Sequence, residues 1–145
     1  MAARVSSPEA MSELVIFDTS VIVDQIRSNR HRDRFQTISG IVRNSSVVLA
    51  ELWCGVSSPV DHRTVETLER SHPTLTPTTK NWLESGQILQ KISADKGFEP
   101  HKLRDLHFDV LIALTVRNYG ARLITSNRDD FELIREYRDF ALEVW

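Results

Sequence analysis

The chain's first apolar run, Leu14-Val15-Ile16-Phe17, is four residues of branched and aromatic type, the pattern of a strand buried on both faces of a parallel sheet. It stops at Asp18. Thr19 and Ser20 are favourable helix starters, and Val21, Ile22, Val23 and Ile26 behind them predict a short helix over 19–28. Phe35, Ile38, Ile41 and Val42 recur at three- and four-residue spacing, which predicts a second helix over 30–42. The next apolar group predicts a brief strand at 47–49 and a helix over 50–55, stopped by Gly55, Ser57, Ser58 and Pro59.

A charged amphipathic helix is expected over 61–71, then a Pro/Thr-rich connection over 73–79 with room for a short strand at 74–75. Trp82, Ile88, Leu89 and Ile92 place a longer helix over 80–96, closed by Gly97. After a polar loop over 99–104, Asp105 is placed to cap the most hydrophobic helix, 106–119, which Gly120 ends. A strand over 122–125, a helix over 129–136 and a strand over 141–144 complete the order. No helix-free β block, fixed repeat or long linker interrupts the alternation. The expected fold class is therefore α/β, with a mostly parallel sheet of four to five strands and helices on both faces.

With 145 residues, 41% of them hydrophobic and 26% charged, the chain suits one domain, here 14–145, able to bury about 68–70% of its unfolded surface. Five Gly and five Pro exclude collagen-like or long disordered classes. Residues 1–13 have no apolar stretch of the signal-peptide kind and are expected to form a flexible N-terminal extension, with Met11 as an alternative start. The one cysteine, Cys54, leaves no internal disulfide, fits a reducing cytoplasm, and is expected to pack in its helix. No apolar run reaches the 18 residues or so of a membrane span. A net charge of −2 means that an anionic substrate must be met by local positive charge or by metal ions.

Candidate chemistry falls at four places. Ligands of open α/β sheets bind beyond the carboxyl ends of the strands, where Asp18 stands, though an aspartate there also serves as a plain helix cap. Asp109 shares a helical face with Leu106, Ile112 and Ala113. A charge on that stripe costs several kcal/mol unless it is protonated, paired or bound to a cation; a first-turn position favoured by the helix dipole is the alternative. Glu51 is the only charged residue between Ser45 and Val60, and the dipole is again the plainer explanation. Thr125, Asn127, Asp129 and Asp130 follow another strand, where a polar turn would also suffice. If these groups converge on one edge of the sheet, two carboxylates about 4 Å apart repel by roughly 4 kcal/mol at an effective dielectric near 20. A hard divalent ion, Mg²⁺ or Mn²⁺, relieves that conflict through oxygen donors.

The stretches LVIFDTS, VVLAELWCG and FDVLIALTVRNYGARLITSNRDDF, in that order, resemble the PIN-domain ribonucleases, and VapC-type toxins of toxin–antitoxin pairs in particular, from about Leu14 to Trp145. The resemblance implies an α/β/α sandwich and metal-dependent cleavage of single-stranded or structured RNA by acidic residues. Asp18, Glu51 and Asp109 match the first three acidic positions. At the fourth the chain departs from the family: Asn127 stands two residues beyond Thr125, and Asp130, or else Asp129, is expected to supply the missing charge while Asn127 places a water or phosphate. Thr19 and Ser20 resemble the family's hydroxyl pair, which would orient the first carboxylate or a metal-bound water. Catalytic and metal-binding roles thus fall on Asp18, Glu51, Asp109 and Asp130.

The implied chemistry is attack by a metal-activated water, with no nucleophilic side chain. The expected partners are RNA, a cognate antitoxin laid over the acidic groove, and a second copy of the chain, with Val23, Ile26, Phe35 and Ile38 as candidate apolar surface. Arg27, Arg30, Arg32, Arg34 and Arg128 are the expected contacts to the RNA backbone, and His101, Lys102 and Arg104 form a second basic group. The five histidines show no metal-site spacing and are expected at the surface; His107 alone lies close to Asp109. Two other classes stay open: a PIN-like module that only binds RNA or protein, and a phosphotransfer domain that phosphorylates Asp18, although Ser20 stands where such domains carry a second aspartate.

Overall fold

The computed structural model describes residues 13–145, so apart from Glu13 the extension expected over 1–13 and the alternative start at Met11 fall outside the described residues. Strand β1 (Leu14–Phe17) lies at the centre of a five-stranded sheet. It pairs on one side with β2 (Ile41–Ser45) and on the other with β4 (Arg122–Thr125). The short β3 (Thr74–Leu75) and β5 (Ala141–Val144) close the two edges, giving the order β3-β2-β1-β4-β5 with every neighbouring pair parallel. The helices are α1 (Thr19–Ser28), α2 (Arg32–Thr37), α3 (Ser46–Cys54), α4 (Pro59–Ser71), α5 (Thr79–Lys96), α6 (Pro100–Asn118) and α7 (Arg128–Arg135).

Period-two alternation along the central strands divides the core. Ile16 and Leu123 join the larger cluster, built with α3, α4, α5, α6 and α7. Val15, Phe17 and Ile124 join a smaller one with Val21, against which Phe35, Ile38, Val42 and Trp145 pack. The result is an α/β/α sandwich. Each fully buried side chain of this kind contributes roughly 1.5–3 kcal/mol, and the densest run lies on α6, where every residue from Val110 to Val116 is buried. That run starts immediately after Asp109.

Three boundaries differ from the sequence expectation. The helix expected over 30–42 ends at Thr37, because Gly40 takes φ +113°, and the branched residues beyond it enter β2. A Cβ at Gly40 would meet the Glu13 carbonyl oxygen at 2.7 Å and Val15 Cγ2 at 2.9 Å. The strand expected at 47–49 is instead the first turn of α3, capped by Ser45, whose Oγ accepts from the amides of Val47 and Val48. Finally, the loop expected over 99–104 is helical: α6 begins at Pro100, a favoured residue at a helix start, so Asp105 is not its cap. Among the described residues no helix is long and apolar enough to cross a membrane.

The strand order reverses at β1, since β2 lies on one side and the next long strand, β4, on the other. That switch point opens a crevice at the carboxyl ends of β1 and β4, where Asp18 and Thr125 stand.

Candidate active site

Asp18 is 3% exposed and occupies the cap position of α1 without capping it. Its Oδ2 accepts hydrogen bonds from the hydroxyls of Ser20 and Thr125, both at 2.8 Å, while Oδ1 has no hydrogen-bond partner among the described residues. Both hydroxyls are themselves held: Thr125 Oγ1 accepts from the Asn127 amide at 2.9 Å and Ser20 Oγ from the Ser126 amide at 3.1 Å. The chain after β4 is thereby tied to the chain after β1, and one carboxylate oxygen is left facing the crevice. The helix-cap alternative for Asp18 does not hold.

Thr19 points the other way and donates to Glu51 Oε1 at 2.8 Å. Glu51 is the sixth residue of α3, too far along for the first-turn dipole to account for it. Burial raises its pKa, and the Asp18 charge adds to the rise against the lowering effect of the Thr19 hydroxyl. Asp109 is the tenth residue of α6, so its first-turn alternative also fails. It is half-buried, has no hydrogen-bond partner among the described residues, and its pKa is pushed up to about 8. Burial is the main cause; the charges of Asp18, Asp130 and Glu51 add to it, and Lys102 opposes it.

These side chains line one open cleft of about 410 Å³, bounded by Asp18, Thr19, Ser20, Glu51, Arg104, Asp105, Phe108, Asp109 and Asn127. Asp130 stands behind it, with Oδ1 at 3.1 Å from Lys102 Nζ and Oδ2 accepting from Asn127 Nδ2 at 3.2 Å. Asp129 is exposed on α7 and does not line the cleft. Asp130 is thus the closer of the two to the role expected at the fourth acidic position, and Asn127 presents its amide where the family pattern has a carboxylate.

None of the five arginines expected to hold RNA lines this cleft. Arg27 lines the adjoining hollow, which shares Thr19 and Glu51 with it. Arg30 pairs with Asp24 at 3.9 Å, Arg34 lies over the Trp145 ring at 5.5 Å, and Arg32 and Arg128 are exposed. Sequence reasoning missed Arg104 and Phe108 as parts of the site. The signal was available in Pro100, which moves the start of α6 back far enough to place both on the face that carries Asp109.

The remaining expectations fare unevenly. His107 hydrogen-bonds Ser85 on α5 at 3.0 Å and does not line the cleft. His31 is 3% exposed rather than at the surface, and Cys54 is exposed rather than packed. Ile26, Phe35 and Ile38 line an apolar cavity of about 350 Å³ beside α1 and α2.

Among the described residues no three Asp, Glu, His or Cys side chains are close enough to hold a metal ion as placed. Mutual repulsion favours such spacing of like charges. The donor chemistry nevertheless fits a hard cation: the groups facing one another are carboxylates, Asp109 has no donor, Asp18 has one oxygen free, and Lys102 is already taken up by Asp130.

A parallel sheet whose switch-point crevice gathers acidic side chains from β1, α3 and α6 defines an α/β nuclease-like class of site. The PIN domain family model matches residues 15–137, and the chain belongs to that family. Solved structures agree. VapBC from Salmonella typhimurium, determined bound to DNA, is 26% identical with a TM-score of 0.67 over 93% of this chain and 99% of that one. VapBC2 from Rickettsia felis, bound to a promoter DNA fragment, is 22% identical with a TM-score of 0.69 over 91% and 98%. VapBC-5 from Mycobacterium tuberculosis, a member of the VapBC toxin–antitoxin family, is 21% identical with a TM-score of 0.59 over 90% and 96%. Among curated proteins no match was found. The resemblance carried by the three sequence stretches thus holds for family and fold.

Proposed function

We propose that this chain is a divalent-metal-dependent endoribonuclease and the toxin of a toxin–antitoxin pair. The observation that carries the reading is the convergence of Asp18, Glu51 and Asp109 on one cleft, with Asp109 buried against like charges and given no donor. Asp18, Glu51 and Asp109 would hold Mg²⁺ or Mn²⁺, with Asp130 adding charge from behind. Bound there, such an ion lowers the pKa of a water and polarises a phosphodiester. The chain's own part is positional. Ser20 and Thr125 fix the Asp18 carboxylate, Thr19 fixes Glu51, and Asn127 presents an amide to a water or to a phosphate oxygen.

The partner reading rests on the VapBC complexes among the structural neighbours. An antitoxin segment over the acidic cleft would mask it, and the apolar cavity at Ile26, Phe35 and Ile38 would serve that segment or a second copy of the chain. Asn127 favours one other reading, a PIN module that binds RNA or protein without cutting.

Purified protein on a labelled RNA pool separates the two. Cleavage is expected with Mg²⁺ or Mn²⁺ and is expected to stop in EDTA. Asp18→Ala and Asp109→Asn should each lower it by more than the roughly 100-fold that loss of an outer-shell partner costs. RNA that is bound but left whole under all metal conditions would favour the non-cutting module, and cleavage indifferent to both substitutions would remove the cleft from the reaction.

A further inference from the structure

We infer that Phe108 and Arg104 make the cleft selective for an unstacked nucleotide, so that the substrate is a single-stranded segment or loop rather than a paired helix. The inference rests on the nuclease reading above and adds the substrate class. Arg104, Asp105, Phe108 and Asp109 fall on successive turns of one face of α6, and all four line the cleft. Phe108 is 46% exposed, although it adjoins the fully buried run that begins at Val110.

A lone exposed aromatic is unremarkable by itself. Its position gives it meaning here, because its ring stands at the wall of an acidic cleft one turn from a cation. Arg104 is exposed and, among the described residues, forms no ion pair or hydrogen bond, although carboxylates surround it. Lys102, two residues before it, is held by Asp130. The guanidinium is left to meet an anion arriving from outside, and a planar fork suits a phosphate.

An aromatic face and a phosphate-binding cation one helical turn apart match the spacing of parts within a nucleotide. Bases in a duplex are stacked on one another, and the deep groove of paired RNA admits no side chains, whereas a splayed base offers its π-face to an aromatic ring. Stacking of this kind tolerates any base. Phe108 acts as a positioning residue that settles the nucleotide next to the scissile phosphate, and Arg104 grips the backbone beside it.

The test uses the full chain and a single-stranded RNA carrying 2-aminopurine, alongside the same strand annealed to its complement. Phe108→Ala should raise KM about fivefold to a hundredfold, with kcat changed less than about threefold. Phe108→Tyr should restore KM, whereas Phe108→Leu should not. An abasic site next to the cut should raise the wild-type KM and leave that of Phe108→Ala unchanged. Arg104→Gln should reduce the slope of log affinity against log salt by about 0.7, the value for one phosphate contact on a single strand. Thermal melting of the variants should match the wild type, because both side chains are exposed.

Leucine performing as well as phenylalanine, or the duplex being cut as readily as the single strand, would overturn the inference while leaving the nuclease intact. If the wild type cuts no RNA, the nuclease reading fails. Quenching of 2-aminopurine on binding then decides the inference alone: loss of quenching in Phe108→Ala supports it, and unchanged quenching refutes it.

Discussion

Asp109 sits where the fully buried stretch of α6 begins, and its proton links the cleft to the stability of the whole chain. Its pKa of about 8 in the folded state lies well above the unfolded value of roughly 3.9. Between those values the folded protein holds a proton that the unfolded chain has lost. The stability tied to this group is therefore complete below about pH 4 and is lost as pH rises through about 8. In EDTA, Asp109→Asn should be more stable than the wild type at pH 8 in urea denaturation, with the gap closing as pH falls; parallel pH profiles would show that the buried charge costs nothing. Thr125 carries the opposite expectation. Its hydroxyl both donates to Asp18 and accepts from the Asn127 amide, so Thr125→Val should cost about 1–3 kcal/mol in melting experiments. It should also lower RNA cleavage about 10- to 100-fold, with Thr125→Ser retaining most of both. Asp18, Glu51 and Asp109 could be found in the sequence because each is a charge set in an apolar stretch, where physics demands a partner. The bonds of Ser20 and Thr125 to one Asp18 oxygen could not, because they join residues 105 and 107 positions apart.

The elements that were misplaced share a cause: local apolar spacing fits more than one structure, and a neighbouring residue decides between them. Phe35, Ile38, Ile41 and Val42 fit one helical face, yet Gly40 at φ +113° breaks it and delivers Ile41–Ser45 to the sheet. Val47 and Val48 favour a strand by type, but Ser45 caps their amides and makes them helical. Glu51 consequently lies inside a helix, and the earlier start of α6 turns Arg104 from a loop residue into a wall of the cleft. Gly40→Ala tests the first of these points. The added methyl would press on the Glu13 carbonyl in a backbone region strained for alanine, and an expected loss of about 1–3 kcal/mol should be measurable by urea unfolding. A neutral or stabilising substitution would mean that the turn into β2 tolerates a side chain.

Across the molecule, the fold class could be argued from the alternation of elements, because helices that separate short apolar strands leave little but a parallel sheet. The strand order could not. That β4 crosses to the far side of β1 creates the crevice, and nothing local in Arg122–Thr125 encodes it. The same limit explains the arginines. Helix α1 starts at the cleft and, at 1.5 Å per residue, carries its end and the Arg30, Arg32 and Arg34 run about 15 Å away along its axis. Nearness along the chain was a poor guide to nearness in space. The assembled cleft holds more carboxylates than its own cations offset, and a divalent ion is the simplest means of balancing them. Calorimetric titration of Mn²⁺ into the metal-free protein at pH 8 tests this most directly. Saturable binding at one or two sites is expected, with proton release growing as the pH is lowered toward 7, and with binding lost in Asp18→Ala and Asp109→Asn. Absence of saturable binding, or equal binding by folded Asp109→Asn, would contradict a metal held by these carboxylates.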